Sequence, residues 1–170
     1  LGDVYKRQLP SFYVDFNDRR KNPKNYKSSS RDVKLLLESK NGKIEIKNQA
    51  DQDLFLGNAN HFTNVIINIL DNAIKYTDTE PQILIQTWID KQHLILSIED
   101  RGFGMSAATQ KKIFEKFYRE SSGDVHNIKG HGLGLAYVKK IMDLHQGQVE
   151  IKSKPGQGST FTLSMNLEFP

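Results

Sequence analysis

With 170 residues, 37% of them hydrophobic and 26% charged, the chain has the size and balance of one ordinary folded domain, and a second full domain does not fit. It contains no cysteine, which excludes thiolate nucleophiles, dithiol redox chemistry and cysteine zinc sites, and no apolar run approaches the roughly 20 residues needed to span a bilayer. The formal charge of +4 comes from scattered lysines and one short basic run, Arg19, Arg20 and Lys21, which reads as a solvated surface; without interleaved aromatics, no nucleic-acid partner is expected.

In chain order, Leu1 to Gln8 show neither apolar periodicity nor a signal-peptide pattern and read as an artefact of sequencing or expression. Residues 9–41 read as an irregular lead-in, rich in Asn, Lys, Arg and Ser and broken by Pro10 and Pro23. Its one regular piece is a short helix from about Ser30, carrying Val33, Leu35, Leu36 and Leu37 and stopped by Asn41-Gly42. The domain itself is expected over 42–170. Ile44 and Ile46, then Leu54 and Leu56, alternate with polar residues as half-buried strands do. His61 to Tyr76 reads as a long helix, with Phe62, Val65, Ile66, Ile69, Leu70, Ala73 and Ile74 on one face. Gln82 to Ile89 and Leu94 to Glu99 read as strands joined in a hairpin by Asp90-Lys91-Gln92-His93. Ser106 is placed to cap a helix carrying Ile113, Phe114 and Phe117. A Gly, Ser and Asn rich stretch from Glu120 to His131 reads as a mobile loop, followed by a helix from about Gly132 to His145 that stops at Gly147. Strands Val149 to Ser153 and Thr160 to Leu167 flank the Pro155-Gly156-Gln157-Gly158 turn. Hairpins outnumber short crossovers, which predicts an α+β sandwich with helices on one face of a mostly antiparallel sheet.

Three features carry chemistry. On the long helix Asn64, Asn68, Asn72 and Lys75 form a polar stripe almost opposite the apolar face. Asparagine is a mediocre helix former, so three at this spacing need a reason beyond propensity, although a plain solvated face is the alternative. Asp100-Arg101-Gly102-Phe103-Gly104 follows a strand, where a buried carboxylate can accept from the amino group of a base and glycines let backbone approach a ring. Gly130-His131-Gly132-Leu133-Gly134-Leu135 runs into a helix and offers free N–H groups at its positive end, where phosphate oxygens bind; a flexible connection is the bland alternative.

Taken in order, Asn68 to Tyr76, Asp100 to Gly104, Phe114 to Arg119 and Gly130 to Leu135 resemble the N, G1, F and G2 boxes of sensor histidine kinases, and Gly156 to Phe161 resembles the last glycine box. The resemblance implies the two-layer α/β sandwich of the histidine kinase, gyrase and chaperone ATPases, with ATP and Mg²⁺ as cofactors. It implies that Asn72 binds the metal, that Asn68 supports the metal or phosphates, and that Lys75 contacts phosphate. By the same resemblance Asp100 accepts the adenine amine with Thr160 nearby through water, Gly102 and Gly104 make room for the base, and Tyr76 packs beside it. Arg119 and the loop through Lys129 and Gly130 are expected to close over phosphates to which Gly132, Leu133, Gly134 and Leu135 offer backbone donors, with Phe114 and Phe117 anchoring this lid by packing. Asn68, Lys75 and Arg119 are the expected catalytic residues.

The resemblance also separates kinase from hydrolase. Hydrolases of the superfamily carry a water-activating glutamate one helical turn before the metal asparagine, where this chain has Asn68, and an amide cannot take the proton of an attacking water. None of His61, His93, His126, His131 and His145 lies in the His-Glu-x-x-Thr-Pro context of the family's phosphoacceptor, so no autophosphorylation by this chain alone is expected. The implied partners are a histidine-bearing dimerisation domain and a response regulator receiver domain, in a full-length homodimer anchored in the bacterial inner membrane with this domain on the cytoplasmic side. A superfamily ATPase and a nucleotide-binding regulatory module are the alternatives.

Overall fold

A computed structural model describes residues 12–13, 27–50, 56–119 and 131–167. A five-stranded sheet is built from β2 (Lys43–Asn48), β4 (Gln82–Asp90), β5 (His93–Asp100), β6 (Gln148–Ser153) and β7 (Ser159–Asn166), in the order β2-β4-β5-β7-β6. The β2–β4 pair is parallel and the other three pairs are antiparallel. A separate two-stranded ladder joins β1 (Phe12–Tyr13) to β3 (Leu56–Gly57). The helices α1 (Lys27–Ser39), α2 (Ala59–Lys75) and α4 (Gly134–Leu144) cover one face of the large sheet, and α3 (Ala107–Gln110) is a single short turn. This is the expected α+β sandwich.

Its core lies between α2, α4 and the central strands. The α2 face predicted from periodicity supplies Phe62, Val65, Ile69 and Ile74, which meet Val138, Ile141 and Met142 of α4. Beneath them lie Leu94, Leu96 and Ile98 of β5 and Phe161, Leu163 and Met165 of β7, alternate residues that point to one side of their strands. Asn58 caps α2 by accepting from the N–H groups of Asn60 and His61. The hairpin expected at Asp90–His93 forms on a two-residue loop, with Lys91 in the left-handed region.

Three elements differ from expectation. The helix predicted from Ser30 begins at Lys27, and its Val33 joins the main core, so this part of the lead-in is ordered structure. The helix expected to run from Ser106 through Phe117 ends at Gln110. Its cap forms as predicted, with Ser106 accepting from the Thr109 N–H. The chain then tightens into turns, and Phe117 leaves helical geometry at φ 65° because its N–H donates to the Gly132 carbonyl. At the end of α4 the left-handed position falls on Gln146, one residue before the glycine expected to stop the helix.

Candidate functional site

A cavity of about 380 Å³ opens between α2, the turn after β5, the segment around Tyr118 and Arg119, and the start of α4. Its size suits a small-molecule ligand. Helical spacing puts Asn68, Asn72 and Lys75 on the wall that α2 presents, and Tyr76 continues it; Asn64, one turn earlier, is exposed and does not line the cavity. The Asn68 side chain is oriented: its Nδ2 donates to the Asn64 carbonyl at 2.7 Å, and its Oδ1 faces the start of α4, where a methyl group on Gly134 would lie 2.7 Å away.

At the opposite end Asp100 lies at the mouth of the β5 turn, 8% exposed. Its Oδ1 accepts from the Gly102 N–H at 2.8 Å and the Ser159 N–H at 3.3 Å. No described residue donates to Oδ2. Burial pushes this carboxyl above its ordinary pKa; the two backbone donors pull it back down, and neighbouring Glu99 adds to the rise. The turn itself is pinned. Met105 N–H donates to Ser153 Oγ, Gly156 N–H donates to the Phe103 carbonyl, and Gln110 Nε2 donates to the carbonyls of Met105 and Ser153. Gly104 adopts φ 67° with the Lys154 carbonyl so near that a side chain there would collide with it.

The first turn of α4 closes the third side. Gly132 to Leu135 line the cavity, and the N-cap residue Leu133 makes no side-chain capping bond, unlike Asn58 of α2 and Ser106 of α3. The first-turn amides, which no described side chain caps, and the positive end of the helix face the space beside Asn68. Arg119 and His131 are exposed on the rim, with Tyr118 half-buried between them and the wall.

Of the expected site residues, Asn68, Asn72, Lys75, Tyr76 and Asp100 therefore share one cavity with Gly104, Arg119 and the Gly132 to Leu135 turn. Lys129 and Gly130 lie outside the described residues. Gly102 lies beneath the lining, where its N–H serves Asp100. Thr160 does not line the cavity. It pairs with Glu99 in the sheet, and strand alternation sends the buried Ser159 to the Asp100 side instead. Phe114 packs against the core, but Phe117 is 71% exposed, so only one of the two aromatics anchors its segment by packing.

Asp71 and Ser159 are among the polar groups of the lining that the sequence reading did not single out. Asp71 forms an ion pair with Lys75, Oδ2 to Nζ 2.6 Å, one helical turn apart on α2. The i,i+4 spacing of an acid and a lysine was the legible signal for it. Ser159 shares its strand face with Phe161, Leu163 and Met165, so the alternation of β7 identified it over Thr160.

Residues 57–168 match the family described as Histidine kinase-, DNA gyrase B-, and HSP90-like ATPase. Among curated relatives, the sensor protein RprX of Bacteroides fragilis is 40% identical over 135 residues, covering 78% of this chain and 26% of that protein. The phosphate regulon sensor protein PhoR of Pseudomonas aeruginosa is 37% identical over 131 residues, covering 77% of this chain and 29% of that protein. The chain thus spans less than a third of the length of these relatives. Among solved structures, the mycobacterial sensor histidine kinase MprB superposes with a TM-score of 0.67 at 24% identity, covering 81% of this chain and 92% of that one. The catalytic domain of histidine kinase ThkA superposes with a TM-score of 0.62 at 24% identity, covering 81% and 90%. The structural likeness establishes the shared sandwich fold, and the family match over the elements that build the cavity establishes the kinship: the chain belongs to the histidine kinase-, DNA gyrase B- and HSP90-like ATPases.

Proposed function

We propose that this domain binds Mg-ATP in the cavity and presents the γ-phosphoryl group to a histidine carried by a dimerisation domain outside the chain. The carrying observation is polarity: one end of the cavity offers Asp100 Oδ2, to which no described residue donates, as an acceptor for an exocyclic amine, and the other offers first-turn amides of α4, without a side-chain cap among the described residues, for phosphate oxygens.

The residues also fit magnesium. That ion takes hard oxygen donors, usually one or two from protein, and completes its octahedron with phosphates and water. Asn72 lines the cavity, and the Asn68 amide keeps its oxygen free of the bond its nitrogen makes. Among the described residues no group of three or more His, Asp or Glu could hold a metal ion by itself. Held at Asn72 with the Asn68 amide oxygen beside it, magnesium would supply positive charge that offsets the phosphates. The chain's own residues position the base at Asp100, hold the phosphates at α4 and Lys75, and bring Arg119 to the rim. In the transfer an imidazole nitrogen attacks the γ-phosphorus, the bond to the β–γ bridging oxygen breaks, ADP leaves and the imidazole proton passes to solvent.

Hydrolysis is the weaker reading. Asn68 stands where a water-activating carboxylate is required, and Asp71, the one carboxylate beside it on the wall, is tied to Lys75. A response regulator as recipient of the phosphoryl group, a homodimeric full-length protein, and an inner-membrane anchor with this domain on the cytoplasmic side follow from the same reading.

Titrating Mg-ATP into the domain by calorimetry tests it. The expected result is saturable binding without a continuing heat of hydrolysis, and loss of the magnesium-dependent part of the affinity in Asn72→Ala. Steady heat would instead favour the ATPase, and an Asn72→Ala affinity within about twofold of wild type would remove that residue from the metal site.

A further inference from the structure

We infer that Lys40 is a positioning residue that couples the segment preceding the domain to the nucleotide cavity. The last carbonyls of a helix have no partners within it and must find them elsewhere. Around the end of α2, several find partners outside the helix. Thr77 Oγ1 donates to the Ala73 carbonyl at 2.7 Å, and the Phe103 N–H donates to the Tyr76 carbonyl at 2.9 Å. The carbonyls of Ile74 and Thr77 both accept from the Lys40 ammonium, at 2.9 and 2.7 Å. Lys40 follows the last residue of α1 directly, and its own N–H donates to the Leu37 carbonyl, so the side chain reaches α2 from the end of that helix.

The two carbonyls held by Lys40 bracket Lys75 and Tyr76, both of which line the cavity. The adjoining Tyr76 carbonyl carries the bond to Phe103, which lies in the turn that Asp100 begins. One ammonium group, half-buried and at the favourable negative end of a helix, therefore fixes where α2 stops and how that stop meets the base end of the cavity. No α1 residue with a described side chain lines the cavity, so the contact acts at a distance. A displacement of α1 that pulls Lys40 away frees the two carbonyls, loosens the Lys75–Thr77 turn and lowers nucleotide affinity. By reciprocity, a bound nucleotide that orders this turn tightens the hold on α1.

This inference rests on ATP being the ligand, and two measurements keep the ideas separate. Calorimetry on the folded protein, well below its melting temperature, should show Lys40→Met weakening ATP binding by about fivefold or more, with Lys40→Arg restoring most of the loss because it keeps charged donors. Lys34→Met, at an exposed i,i+4 ion pair with Glu38 on α1, is the control and should bind as wild type does. Should Lys40→Met fail to fold, Lys40→Gln keeps two donors without the charge and should still weaken binding. On the wild-type protein, saturating Mg-ATP should slow amide hydrogen exchange over Lys34–Ser39 of α1. Wild-type binding of ATP together with unchanged affinity in the folded Lys40 variants, or with unchanged exchange on α1, overturns the coupling. Absence of wild-type binding overturns the nucleotide reading itself.

Discussion

Asp100 holds one carboxylate oxygen between two backbone donors and turns the other to the cavity, and this division separates stability from binding. In Asp100→Asn the amide oxygen can keep the bonds from Gly102 and Ser159, which leaves the amide nitrogen facing the ligand. Two donors then meet where an acceptor met an amine. Losing a hydrogen bond to a charged group costs about 1.5–3 kcal/mol, so ATP affinity should fall roughly 10- to 100-fold. Stability should move the other way. Because burial raises this carboxyl's folded pKa, its contribution to stability is full below the unfolded value of about 3.9 and is lost as pH rises through the folded value. Relative to wild type, the variant should therefore gain melting temperature between about pH 3.5 and neutrality. Melting curves at both pH values check it, and a relative loss at neutrality would mean that the buried charge is stabilising.

At the scale of elements, the start of α4 has no side-chain cap among the described residues, and that opening makes a prediction of opposed signs. Leu133 is its N-cap and 44% exposed. Leu133→Asp places a negative charge against the positive helix end, which should stabilise the fold by about 0.5 kcal/mol. The same charge occupies the place proposed for phosphate and should weaken Mg-ATP binding at least about tenfold. Calorimetry and thermal melting of one variant read both effects; affinity retained with raised stability would move the phosphates away from α4. Much of this architecture was legible beforehand. The α2 face was readable because seven apolar residues follow the helical period, and the hairpin because a polar tetrad interrupts two apolar runs. The α3 segment differs because Ile113, Phe114 and Phe117 fit a helical stripe, while the bond from Phe117 to Gly132 that turns the chain after the helix joins residues far apart in sequence. Local pattern does not report such contacts. The Asp71–Lys75 pair and Ser159 were legible in spacing and alternation but were overshadowed by family motifs that emphasise their neighbours.

For the whole molecule, the question is where the domain begins. The low regularity of residues 9–41 placed its start at 42, since only Val33 and the leucines after it hinted at helix and the boundary depended on what they pack against. In the fold, α1 sends Val33, 8% exposed, into the same core as α2, and Lys40 to the end of that helix. Burying one such side chain contributes about 1.5–3 kcal/mol, an upper bound for a chain whose unfolded state is already partly compact. Charged hydrogen bonds of the Lys40 kind add about 1.5 kcal/mol or more. Removing α1 should then cost on the order of 3 kcal/mol, which for a domain of this size lowers the melting temperature by roughly 6–12 °C. A chain starting at residue 27 compared with one starting at residue 42 isolates α1, since both lack everything before it. If the shorter chain melts within about 2 °C of the longer, α1 docks without contributing stability and the domain starts at β2. A drop in melting temperature accompanied by weaker ATP binding in the fraction that stays folded would make α1 both a structural part of the domain and the handle by which its cavity is reached.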